Sequence, residues 1–261
     1  MMTSALAVIL LLTNECGTVR LDTQGALVDS YVPCGSGEVF FCQSGERRTN
    51  EWYNGGVPVC WPWFDLEGDP GSVMHGFARL RDWLLVRSDN LERESRAILA
   101  TEEEGRFRLE YEVKLDASLT MLLRMRNTGT DCLVVTTCLH PYFRVTSPEN
   151  VEIMTPEGLM IRGRGGMDGW RDFGSGNYEV LDKGSGRRLM LEMFGNNSIV
   201  VWNIGPDELI DGLSKDDWKR YICIEPAVTP RARGFRLEPG EERQIGMSCR
   251  LVRNGAFDRY K

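Results

Sequence analysis

Histidine is scarce in this chain. Its 261 residues contain two, His75 and His140. Two imidazoles with no H-E-x-x-H or H-x-H spacing argue against a histidine-built metal centre. No Cys-x-x-Cys pair occurs among the eight cysteines, which removes the main support for zinc-ribbon and thioredoxin-like readings. No G-x-S-x-G elbow is present, so the usual signature of an α/β serine hydrolase is missing. Basic residues are not in excess: 31 Lys and Arg stand against 38 Asp and Glu, a net charge of −7. That balance makes nucleic acid a poor partner. The pairs Arg47-Arg48 and Arg187-Arg188 read as solvated surface, although a local arginine cluster remains compatible with an anionic ligand.

Long apolar runs are also lacking. Ala5–Leu12 is eight residues, far short of a membrane-spanning helix. No basic side chain precedes it in Met1–Ser4, and Thr13–Cys16 is a poor cleavage site, so it reads as a buried first strand rather than a signal peptide. Cys60, Cys138 and Cys223 lie inside apolar runs and read as small buried hydrophobes of a reducing compartment, which favours the cytoplasm. A chain of this length buries a full core without disulfide or metal staples.

What is abundant is strand signal. Arg106–Lys114 alternates strictly, with Phe107, Leu109, Tyr111 and Val113 on one face and charges on the other, the period of a half-buried strand. Thr120–Arg126 and Cys132–Cys138, joined by Asn127–Asp131, read as a hairpin. Further strands are predicted at Gly17–Leu21, Ala26–Val32, Val39–Cys42, Trp83–Arg87, Val151–Met154, Leu189–Met193, Ile199–Trp202, Ile222–Ile224 and Gln244–Val252. Gly163–Gly169 looks loop-like, and Asp207–Arg220 reads as a short surface helix or acidic loop. Many short strands punctuated by the 28 glycines predict an all-β, antiparallel sandwich, and with no repeat or linker the whole span 1–261 is expected to be one domain.

Three residues stand out as candidates for chemistry. His75 follows a Pro-Gly turn, and His140 ends an apolar strand just before Pro141. Glu225 ends the run Tyr221–Ile224 and precedes Pro226, which is expected to break the strand. A carboxylate beside such a run must be hydrogen-bonded or put to use. Taken singly, each is better explained by structure than by function, and spacing alone does not bring them together. Trp61, in Trp61-Pro-Trp-Phe64, and Trp202 have two readings each, core packing or an aromatic wall for a sugar face.

Together, these motifs resemble a known family. Gly55-Gly-Val-Pro-Val-Cys-Trp-Pro-Trp-Phe64, His75-Gly-Phe-Ala-Arg79, Leu139-His-Pro-Tyr-Phe143, Val200-Val-Trp-Asn203, Cys223-Ile-Glu-Pro226 and Leu237-Glu-Pro-Gly-Glu241 occur in this order. The set resembles the hexose-6-phosphate mutarotase (glucose-6-phosphate 1-epimerase) branch of the aldose 1-epimerase superfamily. The resemblance implies a galactose mutarotase-like β-supersandwich with few short helices and a sugar or sugar phosphate in a concave groove. It implies that Glu225 is the general base, that His140 is the general acid, and that His75 polarises the sugar near its ring oxygen. It implies that Asp168 holds sugar hydroxyls, that Arg79 binds the anionic end, and that no metal or organic cofactor is needed. Two departures stand out: Asn54 replaces the arginine usual before Gly-Gly, and Asp65 replaces the glycine usual after Trp-Phe. Arg47, Arg48 or Arg81 would have to compensate for the first. The alternatives are a mutarotase of unphosphorylated aldoses and a non-catalytic sugar-binding or regulatory protein on the same fold.

Overall fold

In the computed structural model the described residues are 7–44, 53–65, 72–229 and 234–252. They are organised by β-strands alone, with three single-turn 3-10 segments at Ala78–Leu80, Pro148–Asn150 and Asp217–Arg220. None of their helices is long and apolar enough to cross a membrane. Three strands form an antiparallel sheet at the N-terminal side: β1 (Ile9–Asn14), β2 (Gly17–Asp22) and β3 (Leu27–Pro33). The site sheet contains β4 (Val59–Cys60), β10 (Thr137–Leu139), β11 (Tyr142–Arg144), β14 (Met167–Arg171), β17 (Ser198–Asn203) and β18 (Tyr221–Val228). Its order is β14-β17-β18-β10-β4, with β11 also paired to β18.

The largest sheet has nine antiparallel strands. They are β5 (Leu84–Asn90), β6 (Ser95–Glu103), β7 (Phe107–Leu115), β8 (Leu119–Asn127), β12 (Val151–Met154), β13 (Met160–Arg162), β15 (Gly176–Asp182), β16 (Arg187–Phe194) and β20 (Glu242–Val252). A two-stranded ribbon joins β9 (Leu133–Val135) to β19 (Phe235–Leu237). The expected antiparallel supersandwich is therefore what the chain forms.

Alternation decides which side chains meet. On β7 the residues Phe107, Leu109, Tyr111, Val113 and Leu115 are buried, and their charged neighbours turn outward. They share one core cluster with Ile222, Ile224 and Val228 of β18. The other face of β18 carries Tyr221, Cys223, Glu225 and Ala227, which pack among Tyr142, Trp202, Cys60 and Cys138 in separate small clusters or line the groove. A strand with both faces covered reads as continuously apolar, and β18 is buried at all eight positions.

Several expectations change. Segments 120–126 and 132–138 do not form a hairpin, because β8 pairs with β7 and β20. The Asn127 side chain donates to the carbonyls of Asp131 and Leu237, which turns the chain toward β19. The second segment then splits at Thr136 into β9 and β10, and β10 belongs to the site sheet. Gly163–Gly169 is only partly loop, since Met167 begins β14. Val39–Cys42 forms isolated bridges at Phe40 and Cys42 rather than a strand. Of the two readings of Asp207–Arg220, the acidic loop holds, ending in a 3-10 turn. Pro226 does not break its strand. It lies in register with Ile199 where the opposite neighbour of β18 changes from β11 to β10, so the ladder is already interrupted there.

The loop after β17 is tied down by Asn203, which is buried. Its Nδ2 donates to the carbonyls of Trp218 and Tyr221 at 2.8 Å each, and its Oδ1 accepts from the Gly205 amide at 3.0 Å. Replacing Asn203 by Ala removes a partner from the buried Tyr221 carbonyl and Gly205 amide and from the half-buried Trp218 carbonyl. Chemical denaturation of Asn203→Ala is expected to show a loss of about 1–3 kcal/mol.

Candidate active site

The groove side of β18 opens into a cavity of about 740 Å3. Its wall includes Phe64, His75, Arg79, His140, Tyr142 and Asp168, together with Val200, Trp202 and Glu225. Residues 208, 210 and 211 of the loop pinned by Asn203 complete it. The volume lies in the range of small-molecule sites.

Glu225 sits mid-strand, directly across from Val200 on β17. It is 1% exposed. Its Oε2 accepts from the Cys138 thiol at 3.1 Å. Its Oε1 has no hydrogen-bond partner among the described residues and lies 3.5 Å from His140 Nε2. Burial penalises the carboxylate form and pushes the Glu225 pKa up to about 8, with the Asp168 charge adding to the rise and the Cys138 thiol opposing it. His140 moves the other way. Burial, then repulsion from His75 and Arg79, drives its pKa well below the ordinary imidazole value. Its ring stacks on Tyr142 at 4.9 Å and meets Trp202 edge-on at 6.0 Å. Its amide donates to the Pro58 carbonyl at 3.0 Å, which fixes the turn between β10 and β11.

His75 is set by strained backbone. It has φ of 62°, and the next residue, Gly76, has φ of 71°. A non-glycine residue in the left-handed region costs about 1–2 kcal/mol and needs outside support. That support comes from Asp65, whose amide donates to His75 Nδ1 and whose carbonyl accepts from the His75 amide, both at 2.9 Å. Phe64 stacks beneath the ring at 5.0 Å. Burial, then the Arg79 charge, lowers the His75 pKa to about 4, so at neutral pH the ring is neutral. Because Nδ1 accepts, the proton is on Nε2, and the ring presents an N–H donor. Asp65 itself has φ of 65°, which explains why a glycine suits that position.

Arg79 is buried in the 3-10 turn 78–80 and donates from Nη2 to the Met74 carbonyl at 2.7 Å. Burial lowers its pKa to about 10, which leaves it charged at neutral pH. Asp168 on β14 is exposed and lies opposite Trp202, so both reach the cavity from one face. The eight residues singled out in the sequence are thus not equivalent. His75, His140, Glu225, Arg79, Asp168 and Trp202 come together.

Two do not fit the expected use. Trp61 is 1% exposed and belongs to the main core, at 4.4 Å from the Phe107 ring and 5.6 Å from Phe77. It supports the wall from behind and is not a surface for sugar. Asn54 touches the cavity but is fully buried, with Nδ2 donating to Gln43 Oε1 at 2.9 Å and to the Asp211 carbonyl at 2.8 Å. It braces the acidic loop and offers no replacement for a guanidinium. Arg47 and Arg48 lie outside the described residues. Arg81 faces Glu103 at 3.6 Å and stands over the Phe77 and Phe107 rings.

Sequence reasoning missed Cys138 as the donor to Glu225, because an apolar flank gave it the look of a core residue. It also missed Glu208 and Asp211, which no local pattern points into a site. One group of possible metal donors occurs among the described residues: His140, Cys223 and Glu225, all buried, with ligand atoms within 4.8 Å of one another.

The family profile described as Aldose 1-epimerase matches residues 9–168. A Salmonella typhimurium protein provisionally named glucose-6-phosphate 1-epimerase is 26% identical over 238 residues, covering 77% of this chain and 76% of its own length. A similarly named protein of Cenchrus ciliaris is 25% identical over 266 residues, covering 88% and 79%. Among solved structures, a provisionally named mutarotase of Salmonella typhimurium superposes with a TM-score of 0.85 at 18% identity, over 95% of this chain and 91% of that one. A provisionally named aldose 1-epimerase of Escherichia coli K12 gives 0.69 at 16% identity, over 94% and 99%. These similarities establish the fold.

The raised Glu225 pKa has a signed effect on stability. Below the ordinary carboxylate pKa, folded and unfolded chains both hold the proton. Between there and about 8 the unfolded chain releases it while the folded chain keeps it, so this residue makes the native state less stable as pH rises through that window. Glu225→Gln removes the effect. Its melting temperature is expected to exceed the parent's at neutral pH by a few degrees, and calorimetry should show the gap closing as pH falls toward about 4.

Proposed function

The chain belongs to the aldose 1-epimerase family, and from that premise we propose that it interconverts the α and β anomers of an aldohexose, with the 6-phosphate as first substrate. As a member it is an isomerase. The observation that carries the mechanism is the facing pair Glu225 and His140, 3.5 Å apart, with pKa values displaced in opposite directions by one dry environment. Opening a hemiacetal requires a proton to leave O1 and another to reach O5, two oxygens on one carbon. Acid and base must therefore stand close together, as these two do.

The proton balance closes on the pair. Ring opening runs from the charged tautomer of the pair, reached when the proton that Glu225 holds at neutral pH moves to His140: Glu225 then takes the O1 proton as the C1–O1 double bond forms. The C1–O5 bond breaks with its electrons on O5, which takes the proton from His140 Nε2. Glu225 is then a neutral acid and His140 a neutral imidazole. Rotation about C1–C2 turns the other carbonyl face toward O5, and the same transfers run backward to close the ring. Burial disfavours both charged forms, so it makes Glu225 a stronger base and the imidazolium a stronger acid at the ring-opening step. Each such role contributes roughly 10²–10⁴-fold. In this reading His75 Nε2–H steadies the sugar near its ring oxygen, Asp168 accepts from hydroxyls, and Trp202 packs on a sugar face.

The phosphorylated substrate is supported by Arg79 in the cavity wall and by the names of the relatives. A specific observation favours unphosphorylated aldoses as the second reading. Besides Glu225, the wall carries Asp65, Asp168, Glu208 and Asp211, against one guanidinium among the described residues.

NMR exchange on α-glucose and α-glucose 6-phosphate separates the two. The expected result is faster exchange with both and a higher kcat/KM for the phosphate. Arg79→Met should raise KM for the phosphate alone. Acceleration of free glucose only would overturn the phosphate assignment. Glu225→Gln is expected to lower kcat by roughly 10²–10⁴, and a full rate in that variant would remove the assigned base.

A further inference from the structure

We propose that the floor of this cavity is a binding site for a soft divalent cation of the zinc class, held by His140 Nε2, a Glu225 carboxylate oxygen and the Cys223 sulfur. The three donors are buried, and their ligand atoms lie within 4.8 Å of one another. Cys223 and Glu225 are two residues apart on β18, so alternation puts them on the same face, and His140 faces them from the turn after β10. The independent sign of a ligand is Glu225 Oε1, a fully buried carboxylate oxygen with no hydrogen-bond partner among the described residues. Metal–ligand bonds of about 2.0–2.3 Å in a tetrahedron put ligand atoms roughly 3.3–3.8 Å apart. The 3.5 Å between His140 Nε2 and Glu225 Oε1 already meets that spacing. The cysteine sulfur closes by about 1 Å or less to join them.

Nitrogen, sulfur and oxygen together suit zinc and its soft neighbours rather than magnesium or calcium, which take oxygen alone. His140 and Glu225 open to the cavity, which leaves a fourth position for water. Binding releases the Cys223 thiol proton, and the Glu225 proton where it is held, while imidazole Nε2 supplies a lone pair, so charge and protons balance without oxidation. Asp168 faces the site and favours the cation, whereas Arg79 opposes it. Occupation ties up the two groups that the sugar needs. The cation is therefore an inhibitor that competes with substrate, a consequence that rests on the mutarotase reading, whereas binding itself does not.

Cobalt(II) added to the parent protein is the probe. The expected result is a one-to-one complex with a near-ultraviolet thiolate-to-cobalt charge-transfer band. The band should vanish and the affinity fall at least tenfold in Cys223→Ser, while Cys34→Ser, at an exposed cysteine outside the cavity wall, keeps both. Absence of the band in the parent, or its survival in Cys223→Ser, overturns the site. Should Cys223→Ser fail to fold, X-ray absorption on the zinc-loaded parent decides. One sulfur at about 2.3 Å is expected, and a shell of nitrogen and oxygen alone refutes it. Zinc should also raise the apparent KM for anomer exchange without lowering kcat, and a chelator should reverse this. If neither sugar is accelerated, the mutarotase reading fails and the spectroscopy still judges the metal site.

Discussion

The alternation of strand β18 is the constraint on which the rest depends. One strand serves two environments. Ile222, Ile224 and Val228 lock it into the core between the large sheets, while on the opposite face Tyr221, Cys223 and Ala227 pack in small clusters and Glu225 lines the groove. A shift of one residue in register would place the carboxylate in the hydrocarbon core and an isoleucine at the site. The pairing that prevents it runs through five residue pairs with β17 and through β10 and β11 on the other edge. The precision of the site is thus inherited from the packing of apolar side chains that never touch a ligand.

Rigid burial also sets the electrostatics. A carboxyl and an imidazole in water differ by only about two pKa units, with the carboxyl the stronger acid. In this cavity the order is reversed, with Glu225 raised and His140 lowered. The pair then shares one proton over a broad range of neutral pH, and moving that proton between the partners changes neither net charge nor the solvation of the protein surface. In the proposed reaction, burial therefore favours the proton transfers of ring opening, and ring closure regenerates the charged tautomer. Cys138 moderates the shift by donating to Glu225 Oε2, and Arg79 discourages a positive charge on either histidine.

The fold was legible in the sequence because period-two alternation is a local property. Phe107 to Val113 announces both its strand and its buried face. The misreadings fall where tertiary pairing overrules a local cue. Asn127–Asp131 has turn chemistry and makes a turn, yet the chain leaves for another sheet, because a side-chain amide binds carbonyls far apart in sequence. Pro226 carries no N–H and still occupies a central strand, because the neighbouring strands change beside it. For the site, ordered motifs brought His75, His140 and Glu225 together on paper, while spacing alone did not. Trp61 and Asn54 show the limit of motif transfer. Both sit in the right segment, and burial gives one to the core and the other to bracing a loop.

A dry acid-base pair is also close to being a chelate. Whatever raises the basicity of a buried carboxylate and keeps an imidazole neutral readies both for a metal ion, and a thiol two residues away supplies a third donor. A protein that needs this pair for proton transfer cannot remove the hazard by solvating it, because solvation would restore the ordinary pKa order. What remains is to oppose the cation by charge from outside the pair. Arg79, charged and buried at the wall, sits where that repulsion is least screened. In the proposed mutarotase, its position beside His75 therefore answers two demands at once: attraction for the anionic group of a sugar phosphate, and resistance to the ions that the Glu225–His140 pair would otherwise collect.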